Sequence, residues 1–587
     1  MESGKERGYA LVLVLFMILL LTILGTAVVS STLGGATRAE TRENDVQSLH
    51  LAEKMLNEAA SYLVTKYNGR EDIAPEELSQ LMQAGIDELQ RLTTSTDLPG
   101  ASGKITAVTT EQVSVGDQTS YKLNLTAEAV VHGVTRRLTQ QITIGAYPDF
   151  LNYAFGSEND VIINGAAYGM GNIYAGHDFL IDNTAKYIYN NDPDKTKDTK
   201  YPFFDGNIYI QNMDSIKVRD KITGNYQPYS RTDLTLQQIL GVDNSKIQLR
   251  DQKKFISINV TESFIDKAQE ATNITDRNSI KAAVDYALAH SGETGRFNNL
   301  AAVLKNGSGV TLTSGPPEKP TLPTDLDDTA AMDAYNEALK EYDAYFMQFN
   351  SLSSTVLFNG NLKLDGLDYR SLIFTDSAKQ DNHKWLIVNG DLTISNYSSD
   401  PLVVKANILV TGNVFISDSV QVDSTVFALG STTIEDAQIK GIKTDKGERK
   451  QLIMISKGPV LVNKVDSFQD YGIYNPKDDD KSPKILDAFF YTDEDAELYG
   501  VGSIFWLRGG FFSKGDLTIN AVLGKASEGA SDIMFDARLQ STIPINESRF
   551  IINYDYDFFE NQYEGLPRVK KLSVIVGKKQ LVSSTES

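Results

Sequence analysis

The chain has no cysteine, which excludes disulfide staples, thiolate catalysis and cysteine-ligated zinc. At 587 residues it can bury enough surface to do without staples. Histidine is scarce too: His50, His132, His177, His290 and His383 are the whole set, and no pair has the H-E-x-x-H spacing of a zinc hydrolase. Neither a Gly-x-Ser-x-Gly nucleophile turn nor a Gly-x-x-x-x-Gly-Lys-Ser/Thr phosphate loop occurs. Basic residues fall short, with 56 Lys and Arg against 77 Asp and Glu and a formal net charge of -21. Such a surface repels phosphate backbones, so nucleic-acid binding is excluded as a main role. The acidic runs Asp478-Asp479-Asp480 and Asp493-Glu494-Asp495 offer hard oxygen ligands for calcium. Neither has EF-hand spacing, and solvated loops account for them. No catalytic residue, metal ligand or cofactor is assigned.

One long uncharged run stands at the start. A charged head ends at Arg7-Gly8, and residues 9–37 carry no charge. Leu11, Leu13, Leu15, Phe16, Leu20 and Leu24 make the run apolar enough to cross a bilayer core, which takes roughly 20 residues. A secretory signal cut at Gly25-Thr26-Ala27 is the competing reading; its apolar region would be about 7 to 15 residues. Lys5 and Arg7 before the span balance Arg38 and Arg42 after it, so charge alone does not orient it. The short head and free amine favour an inside N-terminus, with the bulk of the chain outside. Beyond the span, Val46, Leu49, Ala52, Leu56, Ala59, Leu63 and Tyr67 recur at three- and four-residue steps. They predict that the lipid-facing helix continues as an amphipathic one and stops at Asn68-Gly69.

Residues 7–60, from Arg7-Gly8-Tyr9-Ala10-Leu11 through Ser48-Leu49-His50-Leu51-Ala52-Glu53-Lys54, resemble the N-terminal domain of PilX-type minor pilins of type IV pilus systems. The resemblance implies cleavage by a prepilin peptidase after Gly8, leaving Tyr9 as the mature N-terminus. It also implies the membrane and other pilin or pilus-assembly subunits as partners. Leu13 takes the fifth mature position, where most major pilins carry glutamate. Its apolar side chain suits a subunit placed once, at a tip or base.

Charged residues are 23% and hydrophobic ones 41% of a chain long enough for several domains. Residues 75–92 read as a short amphipathic helix with Pro75 in its first turn, and 105–115, 121–131 and 135–144 as alternating strands. Together they predict a small α+β head over residues 38–147, with Arg136-Arg137 on a solvated face. From residue 148 a new pattern recurs: glycine, a small polar residue, then an apolar-x-apolar strand. It begins at Gly171, Gly206, Gly360, Gly390, Gly412, Gly430 and Gly515. The spacing from Gly390 through Gly412 to Gly430 matches short stacked repeats. The glycines are read as turns tolerating φ > 0, each followed by a strand that fills a coil. An ordinary β-sandwich with glycine turns is the alternative. Residues 386–442 are also similar to polymer-forming β-helical domains of the bactofilin type, in which a free end can stack on another copy. In this chain, the residues beyond are expected to cap that end.

Helical insertions are expected near 230–300 and 325–350, the second after the stiff stretch Gly315-Pro316-Pro317 to Pro323. The apolar stripe of the later helix faces either the solenoid flank or a partner. Gly509-Gly510-Phe511-Phe512 and Tyr554-Asp555-Tyr556-Asp557-Phe558-Phe559 are exposed-aromatic candidates, with buried strand aromatics as the alternative. The expectation is a mainly β protein: a leader-like head (1–8), a transmembrane helix (9–37), a pilin-like α+β head (38–147), and a β-solenoid-like domain (148–587). Functionally it reads as a non-enzymatic, surface-displayed structural subunit, with self-association open. The alternatives are a permanently anchored envelope scaffold or adhesin, and a polysaccharide-active β-helix enzyme.

Overall fold

The computed structural model describes residues 6–70, 75–94, 99–115, 118–145, 147–250, 252, 255–313, 315–376, 379–444, 447, 449–463, 468, 472–475, 485–554, 565–567, 569 and 571–582. It divides into unit 1, Met1–Ala146 with Lys571–Ser587, and unit 2, Tyr147–Lys570.

Unit 1 starts with helix α1, Glu6–Tyr67, 62 residues without interruption, about 90 Å at ~1.5 Å per residue. Its end at Tyr67 falls where Asn68-Gly69 places it, and Gly69 has φ +82°, the left-handed cap glycine allows. Helix α2, Pro75–Leu89, follows. Five antiparallel strands then form a sheet in the order Thr93–Thr94, Ala101–Val115, Gln118–Val131, Val134–Gly145, Ser573–Leu581. Ala52, Met55, Leu56, Ala59, Leu63 and Tyr67 of α1 are fully buried in one core with Leu123, Leu125, Ala127 and Ile142 of the sheet. The last strand is a correction. The division at 147/148 leaves everything to residue 587 in the solenoid-like domain, yet Ser573–Leu581 pairs with Val134–Gly145. Nothing local to the strand distinguishes its partner, because any edge offers the same donors and acceptors.

Unit 2 is built from short strands stacked in parallel. On one ladder Val356, Leu386, Ile408, Val426, Met454, Phe490 and Phe511 lie in register on successive levels. The ladder continues through Phe155, Ile173, Ile208 and Ile247. A second ladder carries Leu362, Leu392, Val414, Thr432 and Val460, and then, in a separate run, Ala496, Leu517, Val161, Phe179 and Ile216. The stacking order therefore departs from chain order: the strand ending at Ser513 lies beside the one starting at Phe155. The residues after 442 extend the stack rather than cap it, correcting the expectation for that end.

The glycines sit at the turns, for two different reasons. Gly360 and Gly171 have φ of +132° and +128°, as the turn reading expects. Gly206, Gly390, Gly412, Gly430 and Gly515 lie outside the left-handed region, and what they share is close approach. A Cβ on Gly412 would stand 2.7 Å from the Gly390 oxygen, and one on Gly430 2.5 Å from the Gly412 oxygen. Backbone hydrogen bonds run up this column, Gly412 N to Gly390 O at 2.9 Å and Gly430 N to Gly412 O at 3.0 Å. The polar residue after each glycine also has a task. Asn361 Oδ1 accepts the N–H of Asp391 (2.8 Å), Asp391 Oδ1 that of Asn413 (2.7 Å), and Asn413 Oδ1 that of Ser431 (2.9 Å). Asp495, Asp516 and Asp160 repeat this toward Asp516, Asp160 and Asp178. Each side chain satisfies a turn amide that the ladder leaves unpaired.

On the first ladder both faces are buried: Ile387, Leu409, Phe427, Ile455, Tyr491 and Phe512, which alternate with the inward residues, are fully covered. Strands buried on two sides read as continuous apolar runs. The helix Val260–Thr272 packs against two of these strands, and Thr355 Oγ1 donates to Ala271 O at 2.8 Å. Helices Arg277–Ala289, Asn298–Leu304 and Thr329–Met347 follow it. The last buries only Tyr342 and Phe346 of its own residues, against Tyr369. Phe511 and Phe512 are buried strand aromatics rather than exposed ones, and Tyr554, just past the strand Phe550–Asn553, is buried too. Residues 555–559 and Asp478-Asp479-Asp480 lie outside the described residues.

Candidate functional site

Two features could carry function: the first half of α1, and an acidic-histidine group on the stack. On α1, Leu11, Leu13, Leu15, Phe16, Leu20 and Leu24 are 48 to 69% exposed, and no large apolar residue between 11 and 33 is buried. That stretch is about 35 Å long, enough for a hydrocarbon core of about 30 Å. The threonine hydroxyls within it and just beyond it bond inside the helix. Thr22, Thr26, Thr32, Thr37 and Thr41 each donate their hydroxyl to the carbonyl four residues back, at 2.7 to 3.0 Å. In lipid no water could take those bonds. The helix is a candidate membrane anchor. Gly8 and Tyr9 fall in its first turns.

Where α1 meets the sheet, Arg136 grips Asp45 through two bonds of 2.5 and 2.8 Å. The guanidinium hydrogen bond holds the Asp45 carboxyl below its usual range. Arg137 does the same to Glu128 at 2.7 Å. The two arginines read as solvated are thus ion-paired, one of them to the helix. Sequence spacing has no signal for a pair 91 residues apart. A cleft of about 670 Å³ on unit 1 is lined by Lys54, Tyr62, Lys66 and Glu88. Lys66 bonds Tyr62 and Glu88 across it.

On unit 2, Asp160, His177 and Asp178 bring ligand atoms within 4.8 Å of one another, and they are the one such group among the described residues. His177 Nδ1 lies 2.6 Å from Asp160 Oδ1, and that hydrogen bond raises the imidazole pKa. Lys217 Nζ lies 2.5 Å from Asp178 Oδ2, and the Asp178 amide also donates to Asp160. A metal would have to displace Lys217 and the imidazole proton. Asp178 is paired with Lys217, and the Asp160 carboxylate accepts from the imidazole and from the Asp178 amide, which ties two turns together. Histidine spacing alone misses it, because stacking rather than sequence joins residues 160 and 177. Asp493 is turned to Lys514 and Asp495 to the Asp516 amide, and neither belongs to a ligand group among the described residues.

No protein-family pattern matches this chain, and no curated protein does. Among solved structures a pilin matches. It is the competence-associated pilin ComZ of Thermus thermophilus, 13% identical, with a TM-score of 0.25, covering 92% of this chain and 98% of that chain.

Proposed function

We propose that the protein is a membrane-anchored, surface-displayed structural subunit of the minor-pilin kind, whose unit 2 is a rigid β-solenoid held outside the membrane. One observation carries the reading: α1 is a single helix whose first half is apolar and uncovered and whose second half forms the core of an α+β unit. A helix with two such environments anchors a folded head without a linker. Adjacent copies could bury the same apolar face against each other. The likeness of residues 7–60 to PilX-type pilins supports cleavage after Gly8 by a prepilin peptidase, with Tyr9 as the new terminus. Pilus-assembly subunits and the membrane are the partners in this reading. Leu13 at the fifth mature position fits a single placement at a tip or base. The parallel ladders and the bactofilin-like stretch support a stiff spacer or adhesive element, and the reading assigns no catalysis.

The test is the intact mass and N-terminal sequence of protein extracted from native membranes, beside Gly8→Ala. A chain starting at Tyr9, with the variant uncut, supports the pilin reading. A start at Met1 leaves a permanently anchored scaffold. A start at Val28 makes the apolar run a secretory signal, and the anchor reading fails.

A further inference from the structure

The stack of unit 2 has a seam where segments distant in the chain meet: Phe505–Ser513 lies beside Phe155–Ser157, Leu517–Ala521 beside Val161–Gly165, and Phe550–Asn553 beside Tyr168–Met170. Two segments from opposite ends of the unit meet there, and the Asp160–Asp516 turn contact spans 356 residues. Every other contact on this ladder from Val356 to Phe511 joins strands that follow one another closely in the chain.

At the turn beside the seam, Lys457, Asp493, Lys514 and Glu158 occupy one column. Each donates its amide to the level before it: Lys457 to Ala428 O, Asp493 to Ser456 O, Lys514 to Thr492 O, and Glu158 to Ser513 O. Their charges alternate in sign, and Lys514 Nζ lies 3.8 Å from Asp493 Oδ1. Glu158 comes last, on the far side of the seam, and its Oε1 is buried without a hydrogen-bond partner. The groups facing it are Lys514 from the preceding strand, Asp493 and Tyr491 from the strand before that, Asp149 from the turn Asp149–Asn152, and Tyr174 from the strand after. Asp149 is itself held by Arg250 at 2.5 Å. The Phe512 ring and the Tyr174 backbone crowd the seam residue Gly156, and the Phe255 ring lies 5.5 Å from that of Phe512 and 4.5 Å from that of Tyr174. Lys514 thus serves both carboxyls, with Lys457 acting on Asp493 from the other side, so that Glu158 shares its cation.

We propose that this corner is a proton-operated latch on the seam. With Glu158 neutral, Phe505–Ser513 and Phe155–Ser157 close on each other, and ionisation of Glu158 loosens them. Burial pushes the Glu158 carboxyl from 4.5 to about 7. A carboxyl raised on folding stabilises the closed seam fully below pH 4.5. That contribution is lost as pH rises towards 7 and stays lost above it. The largest change in the opening equilibrium is roughly 300-fold, from 2.5 pH units at tenfold each.

Hydrogen exchange on the full chain in detergent, from pH 4.5 to 8, tests the latch through protection factors at residues 155–158 and 510–514. Strand Trp385–Val388, far from the seam, is the internal reference. Relative to Glu158→Gln, the native chain is expected to lose up to roughly 300-fold protection between pH 4.5 and 7 and nothing further above 7. The same pH profile in both proteins overturns the proposal. Lys514→Gln supplies a second reading if Glu158→Gln does not fold. Removing the cation favours the neutral acid, so the loss should move to higher pH, and an unmoved profile overturns the latch.

Discussion

Replacing Gly430 with alanine tests why the turns of unit 2 contain glycine. The added methyl carbon would stand 2.5 Å from the Gly412 oxygen and 2.5 Å from Asn413 Oδ1. Both neighbours are fixed, one by the backbone and the other by accepting the Ser431 amide at 2.9 Å. Relief requires the two levels to part, which stretches that bond and the 3.0 Å bond from Gly430 N to Gly412 O. Overpacking costs about 1–3 kcal/mol, and each weakened hydrogen bond about 0.5–1.5 kcal/mol. The expected destabilisation is about 2–6 kcal/mol. Urea unfolding followed by tryptophan fluorescence reads it directly, because Trp385 and Trp506 are the two tryptophans of the chain and both are buried in unit 2. Gly292→Ala is the control, with nothing within 4 Å of the new carbon, and should leave the midpoint unchanged or slightly raised. Gly360→Ala isolates the other cause: its new carbon also meets nothing within 4 Å, but its φ is +132°. If Gly430→Ala unfolds at the same urea concentration as Gly292→Ala, close approach is not the reason for the glycine.

Asp487 is 2% exposed at its side chain and is shared by Arg449 at 3.0 Å and Arg508 at 2.6 Å, while also accepting the Gly441 amide. Asp487→Ala should cost about 3–5 kcal/mol in the same urea assay, and a loss below about 1 kcal/mol would mean that the site relaxes around the gap. The hydrogen bond that His177 donates to Asp160 raises the imidazole pKa above 6.5, so its contribution is complete below pH 6.5 and fades as pH rises through the raised value. Proton NMR titration should place the His177 midpoint above 6.5, and Asp160→Asn should bring it down. An unshifted midpoint in the native chain would refute that bond.

Much of unit 1 was legible from residue spacing. The stripe predicts the buried face of α1 from Ala52 to Tyr67, whereas Val46, counted in it, is 46% exposed; Pro75 predicts the start of α2, because a helix face repeats with a period that local sequence must carry. The three strand windows fall within a few residues of the strands found, and helices do occur within 230–300 and at Thr329–Met347. The glycine turns were legible as positions, although their cause was not. Close approach is a property of two chain segments, and a single segment shows only that glycine is there. Asp160, His177 and Asp178 were individually visible but unconnected for the same reason.

Composition and spacing alone dictate an uncharged apolar helical run over residues 9–37, the absence of cysteine chemistry, and the alternation of apolar and polar residues in short strands between glycine-polar turns. These are local properties, set by composition and by periods of two or 3.6 residues. Three-dimensional packing alone sets Phe511 beside Phe155 and Ser513 beside Ser157, returns Ser573–Leu581 to the first unit, and puts Glu158 at the end of a column of alternating bases and acids. Parallel strands offer the same hydrogen-bond pattern to every neighbour, so backbone pairing alone cannot choose among them. The choice falls to side chains that meet only after folding: Phe512 against Gly156 with Phe255 stacked on it, and Lys514 between two carboxyls.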